Sequence, residues 1–219
     1  MAKRDQPRKG YGQFCALARA LDQIGNRWTL LIVRELLLGP KAFRDIRDAL
    51  PGIAENLLVS RLADLEEDCL VRRNAAKPRS KEVRYDLTER GRALEGAVAA
   101  LIRWGSVLMW NGPSNDFRNP SWLPLAVGAM VDDPTVKAPR GQIVLDAEGA
   151  CATIIVSRSG RRAVAGIGAE PDAIIRGGYP AVLAFVASGG RAAGGITMSG
   201  DRTLATKMLS QTDVRGALG

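Results

Sequence analysis

The 219-residue chain contains no histidine, and its three cysteines, Cys15, Cys69 and Cys151, form no C-x-x-C pair. Without imidazole there is no Ser-His triad, no histidine general base and no imidazole metal ligand. Three scattered cysteines make neither a disulfide framework nor a structural zinc site, and they suit a reducing cytoplasm. No apolar run reaches the roughly 20 residues that span a bilayer. The basic start "MAKRDQPRKG" has no apolar stretch behind it, as a secretory signal would need. Nor does any nucleophile–base pair or phosphate loop stand out. These absences predict a soluble, cytoplasmic protein that is not an enzyme, holds no cofactor or metal and has no membrane partner.

What the chain does have is positive charge. Lys and Arg number 31 against 23 Asp and Glu, a net +8. Residues 1–110 hold 20 basic and 14 acidic side chains, whereas residues 111–219 hold 11 and 9. An excess of cations favours an anionic partner, whether nucleic acid, membrane surface or acidic protein, and it belongs to the first half. The length suits two modest domains, taken as 1–110 and 111–219. Five of the eleven prolines lie between Pro113 and Pro139 and mark the seam.

Helical spacing of apolar residues runs from Phe14 to Leu38. It is interrupted at Gly25-Asn26 and stopped at Gly39-Pro40. Phe43, Ile46 and Leu50 then mark a short amphipathic helix that Pro51-Gly52 ends. In the stretch after it, Leu58, Leu62, Leu65 and Cys69 fall on one side of a wheel and face the core. The opposite side carries Asn56, Val59, Ser60 and Ala63, small and weakly polar, and thus shaped for close approach to another surface. Glu66, Glu67 and Asp68 crowd the C-terminal end, so a helix meeting DNA here enters N-terminus first. A strand, loop and strand follow, with Val83, Tyr85 and Leu87 alternating against Arg84 and Asp86. Residues 72–84 hold six basic residues and one acid, Glu82. Thr88 is placed to cap a long helix carrying Leu94, Val98, Leu101, Trp104 and Leu108.

Helix, tight turn, helix and basic hairpin, in that order, describe a winged helix-turn-helix. The stretches "ALDQIGNRWTLLIVRELLLGPKAFRDIRDALPGIAENLLVSRLADLEEDCLVRR" and "YDLTERGRALEGAVAALIRWG" resemble the HxlR family. The resemblance implies a dimeric bacterial transcription regulator bound to a double-stranded DNA operator. It makes the helix from about Ala54 to Asp68 the recognition helix and residues 72–84 the wing. Family members usually carry a hydroxyl residue at the position of Ala54 and glycine at that of Cys69. The turn at Cys69 is therefore either strained or differently shaped.

The candidate DNA contacts are Asn56, Ser60, Arg61, Arg72, Arg73, Lys77, Arg79, Lys81 and Arg84. Asn56 suits adenine or a local cap, and Ser60 a base edge or a phosphate. Arg61, near the apolar side of the wheel, suits an internal ion pair as well as a phosphate. The wing cations suit phosphates, against the plainer reading of a solvated charge run. The family resemblance also makes Cys15 a candidate redox or electrophile sensor, although a free cysteine is often just a small hydrophobe. The stripe through Leu94, Val98 and Leu101, with first-helix residues, is the expected homodimer contact.

In the second half, "GQIVLDAEGACATIIVSRSGRRAVAGIG" predicts a three-strand antiparallel meander. "EPDAIIRGG", "YPAVLAFVAS" and "GDRTLATKMLS" predict helices, "GGITMSG" a strand, and "SWLPLAVGAMV" a short helix. From about residue 120 onward the chain resembles the sterol carrier protein type domain, which implies an apolar tunnel and a hydrophobic small-molecule effector. Candidate walls are Trp122, Leu125, Met130, Ile155, Leu183, Phe185 and Met198. The predicted fold class is α+β, a winged helix-turn-helix followed by an α+β domain with a mainly antiparallel sheet. The rival reading is a lipid or small-molecule carrier whose winged helix serves dimerisation or protein contacts.

Overall fold

The computed structural model describes residues 10–75, 83–111, 116–191, 194–210 and 212. The chain divides into two compact units, residues 1–98 and 99–219.

In the first unit, Gly25 and Asn26 separate α1 (Ala16–Ile24) from α2 (Thr29–Leu37). Gly39-Pro40 lead into β1 (Lys41–Ala42) and α3 (Phe43–Asp48), whose Asp45 carboxylate accepts the Ala42 N–H at 3.1 Å. Past Pro51-Gly52 comes α4 (Glu55–Glu67), which buries Leu58, Leu62 and Leu65 as its spacing predicts. Cys69, expected beside them, is exposed because the helix has already ended. The Cys69 N–H donates to Glu66 O at 3.1 Å and the Leu70 N–H to Leu65 O at 2.9 Å. Those two bonds form a Schellman cap, and they hold Cys69 at φ 56°. Of the two alternatives for this turn, the strained left-handed one is realised.

The chain then forms an antiparallel hairpin of β2 (Val71–Ala75) and β3 (Val83–Leu87), with Val71 opposite Leu87. Strand β1 adds to the other side of β3, giving the order β1-β3-β2. Two residues are too few for a sequence pattern, so β1 is visible only in the fold. Thr88 caps α5 (Glu89–Arg92), its Oγ1 accepting the Gly91 N–H at 3.1 Å. The long helix expected beyond it is interrupted, because the Leu94 N–H turns to Gly91 O, three residues back. The chain resumes as α6 (Glu95–Gly105) and a 3-10 turn, Ser106–Asn111. A Cβ on Gly91 would stand 2.1 Å from Leu70 O, so only glycine lets α5 lie this close to the start of β2.

The second unit takes in the rest of α6 from Ala99 and the turn after it, then a 3-10 turn (Pro120–Trp122), α7 (Leu123–Val131), β4 (Gly141–Ala147), β5 (Ala150–Ser157), β6 (Gly160–Ala165), β7 (Ala173–Gly177), α8 (Tyr179–Ala187), β8 (Ile196–Gly200) and α9 (Arg202–Leu209). Its sheet runs β6-β5-β4-β7-β8, with β4 and β7 parallel and the other neighbours antiparallel. Glu148 and Gly149, at φ 56° and 88°, make the two-residue turn from β4 to β5. The stretch "EPDAIIRGG", expected as helix, holds strand β7. Asp172, which resembles a helix cap in sequence, instead accepts the Gln142 N–H at 2.8 Å and starts Ala173–Ile175 alongside β4.

Leu123 and Val127 of α7, Val182, Leu183 and Phe185 of α8, and Ala205 and Met208 of α9 pack on Ile143, Leu145, Ile154 and Ile175 of the sheet. Arg161 lies in this apolar layer with only 4% of its surface exposed. Its Nε donates to Val131 O at 2.8 Å and its Nη1 to Met208 O at 2.7 Å, closing the carbonyl ends of α7 and α9. Burial pulls its pKa down, while the nearby Asp133 and Asp132 carboxylates work against that shift. Among the described residues no helix is long and apolar enough to cross a membrane.

Cys69→Gly relieves the left-handed strain without touching the core. It is expected to stabilise the first unit by about 1 kcal/mol, read as a higher denaturant midpoint at unchanged slope.

Candidate nucleic-acid interface

Helix α4 is positioned from beneath by Leu58, Leu62 and Leu65, which leaves Asn56, Val59 and Ala63 exposed and Ser60 half-buried. Asn56 Oδ1 accepts the Leu57 N–H at 2.9 Å, so part of its hydrogen-bonding capacity is spent locally. Glu55, at the N-terminal end, is held by Arg47 Nη1 at 2.6 Å. Arg61 adopts the internal alternative, with Nη1 2.8 Å from Oδ2 of the buried Asp64.

The wing is anchored at its root by ion pairs. Asp86, expected on the outer face of β3, is only 5% exposed. One of its oxygens accepts from Arg72 at 2.9 Å and the other from Arg92 at 2.7 Å. A strand pattern alone misplaces Asp86, because its burial depends on two cations from β2 and α5. Arg73 stacks over the Tyr85 ring at 5.4 Å, donates to the Tyr85 hydroxyl at 3.0 Å and faces Glu66 at 3.3 Å. Partial burial pushes the Glu66 carboxyl up, and Arg73 opposes that. Arg72 and Arg73 thus fix where the hairpin leaves the body. Arg84 lies half-buried on β3. Lys77, Arg79 and Lys81, the remaining wing candidates, lie outside the described residues.

The hairpin is tied to the helices through a carboxylate with no exposed surface, Glu35 of α2. Lys41 Nζ donates to one of its oxygens at 2.6 Å and Arg34 Nη2 to the other at 2.8 Å. Because Lys41 pairs with Tyr85 across β1 and β3, that buried charge references the wing sheet to α2. An open cleft of about 710 Å³ runs between α3, α4 and the wing strands, lined in part by Phe43, Val59, Ala63 and Val83.

Cys15 is exposed and precedes α1. The apolar side chains Phe14, Leu17 and Leu21 around α1, and Leu101 and Trp104 on α6, are also exposed. Val98 is buried and Leu94 half-buried. In the second unit, Leu183 and Phe185 belong to the closed core, and Trp122, Met130 and Met198 pack half-buried against it. Ile155 is flanked on β5 by the core residues Ile154 and Val156 and so lies on the other face of the sheet, while Leu125 is half-buried on α7. The structure therefore gathers five of the seven candidate walls around one core.

Helices α2, α3 and α4, the last with an outward face free of lysine and arginine, and a hairpin beside them make a winged helix-turn-helix, a DNA-binding fold. The sequence model of the HxlR-like helix-turn-helix family matches residues 23–112, and the chain belongs to that family. It is 35% identical over 85 residues to the HTH-type transcriptional regulator YodB of Bacillus subtilis, covering 39% of this chain and 76% of that one. It is 33% identical over 95 residues to the uncharacterized HTH-type transcriptional regulator sll1512 of Synechocystis, covering 43% of this chain and 70% of that one. Among solved structures, the redox regulator HypR in its oxidized form is similar at 34% identity, covering 42% of this chain and 95% of that one, with a TM-score of 0.40.

Lys41→Met keeps the aliphatic stem but removes one of the cations that balance Glu35. It is expected to destabilise the first unit by about 2 kcal/mol, since a buried carboxylate loses a partner while Arg34 remains. Denaturant unfolding followed by tryptophan fluorescence measures it.

Proposed function

We propose that the chain is a dimeric, cytoplasmic transcription regulator that binds operator DNA through α4 and the wing, and that a hydrophobic small molecule in the second unit modulates it. No reaction is part of this reading. The observation that carries it is the outward face of α4, which is free of lysine and arginine and set beside a hairpin whose sequence is rich in both. Base edges are offered to α4 and phosphates to the wing, with Lys77, Arg79 and Lys81 as the cations that the sequence carries between β2 and β3. The exposed apolar residues on α1 and α6 support a two-fold dimer, since scattered single hydrophobes are ordinary but whole stripes are not. Such a dimer reads two half-sites, centred roughly one duplex turn or a multiple apart.

For the second unit, the sterol carrier resemblance agrees with a five-stranded sheet covered on one face by apolar helices. Trp122, Met130 and Met198, adaptable and half-buried at the margin of the core, are the side chains best placed to admit a ligand next to Leu183 and Phe185. A ligand regulates only by preferring one dimer geometry, and a tenfold change in operator affinity needs about 1.4 kcal/mol of such preference.

Arg79→Ala together with Lys81→Ala is expected to weaken binding to specific and random duplexes alike and to flatten the salt dependence by about one unit per lost phosphate contact. Fluorescence anisotropy at several salt concentrations reads both, and unchanged affinity and slope would overturn the wing assignment. Titrating the full chain on its operator with fatty acids and sterol-like or aromatic compounds is expected to find a class that binds and shifts operator affinity. Ligands that bind with no such shift would leave the second unit without a regulatory role.

A further inference from the structure

The helix α4 has to discriminate bases without a free cation. Arginine or lysine on guanine is the commonest specific contact in the major groove, yet residues 54–68 contain one basic residue, Arg61. Its guanidinium is turned back onto the buried Asp64 at 2.8 Å. The helix's acids do not replace it as readers near the N-terminal end, because Glu55 is engaged by Arg47. Val59, by contrast, stands in the middle of the outward face with 56% of its surface exposed. It lies one turn from Asn56 on one side and from Ala63 on the other, and with Ala63 it lines the open cleft beside the wing. A branched apolar side chain in that place has one good partner on a base edge, the C5-methyl of thymine.

Resting on the DNA-binding reading above, we infer that Val59, backed by Ala63, seats a thymine methyl, so that the base pairs under the middle of α4 are A·T. Asn56, one turn nearer the N-terminus, then has adenine as its matching neighbour through N6 and N7. Specificity at the Val59 position is apolar in origin and insensitive to salt. The wing supplies the salt-dependent part.

The test starts by selecting duplexes from a random pool with the full chain. The best one is then resynthesised with deoxyuridine in place of each thymine in turn, which keeps the pairing and removes only the methyl. At one or two thymines in each half-site the wild type should lose about fourfold in affinity, the worth of one buried methyl-sized group. Val59→Ala should bind the thymine duplex less tightly by a similar factor and show no further loss with deoxyuridine. The variant also separates contact from DNA shape, because a shape effect of the missing methyl persists in it and a contact does not. Since Val59 is exposed, unchanged thermal unfolding is expected of the variant. A wild type indifferent to every deoxyuridine, or a Val59→Ala variant that keeps the whole methyl effect, overturns this inference and leaves the DNA-binding reading standing. Failure to enrich any duplex would remove the DNA-binding reading and this inference with it.

Discussion

Glu35 is the fixed point of the DNA-reading unit. A carboxylate with no exposed surface must be matched by cations at short range, and here they come from its own helix and from the first residue of β1. The requirement is positional as well as energetic. An apolar residue of equal volume at position 35 would fill the same buried space, but it would not choose Lys41 over its neighbours. Through the pairing of Lys41 with Tyr85 the same requirement extends to β3, and from β3 to β2 by their shared register. Helix α3 begins where β1 ends, so the turn preceding α4 is held as well.

The same chemistry recurs around α4. Arg61 goes to Asp64, Arg72 and Arg92 to Asp86, and Arg73 to Glu66. Many of the positive charges counted in the first half are thus spent on geometry. Net charge then says that an anion is a suitable partner, while the ion-pair pattern says which cations are committed elsewhere. What is left toward the N-terminal part of α4 is a face with hydrogen-bonding and apolar character, Asn56, Val59 and Ala63, before the acidic end at Glu67. The second unit meets a comparable problem with Arg161, where the partners are two helix-end carbonyls instead of carboxylates.

Much of this architecture was legible in the sequence because it rests on local rules. Gly25-Asn26, Gly39-Pro40 and Pro51-Gly52 punctuate the helices, Thr88 and Asp201 cap them, and Leu58, Leu62 and Leu65 declare the buried side of α4. The features that escaped depend on residues distant in the chain. Asp86 alternates as if exposed, but Arg72 and Arg92 draw it inward. Pro171-Asp172 read as the start of a helix until Gln142 supplied a strand for Asp172 to begin on. The close packing of Gly91 on Leu70 at the start of β2 likewise joins residues distant in the chain. At the interface itself, the outward residues of α4 followed from the wheel alone. The commitment of Arg47, Arg72, Arg73 and Arg92 to structural pairs did not, since their partners Glu55, Asp86 and Glu66 lie on other elements.

The parallel neighbours β4 and β7 give the two halves different histories. Helix, turn and hairpin in the first unit close mostly over short sequence distances, a topology associated with fast folding. In the second, Ile143 at the centre of the sheet waits for Ala173 and the strand beyond it, and only then can α8 and α9 cover the apolar face. Loop closure over that span has to precede the contacts that reward it, so this unit is the slower to form. During synthesis the DNA-reading unit is complete before β7 has emerged. For an interval, each new chain carries a finished first unit joined to a sheet whose central strand, β4, still lacks its parallel partner.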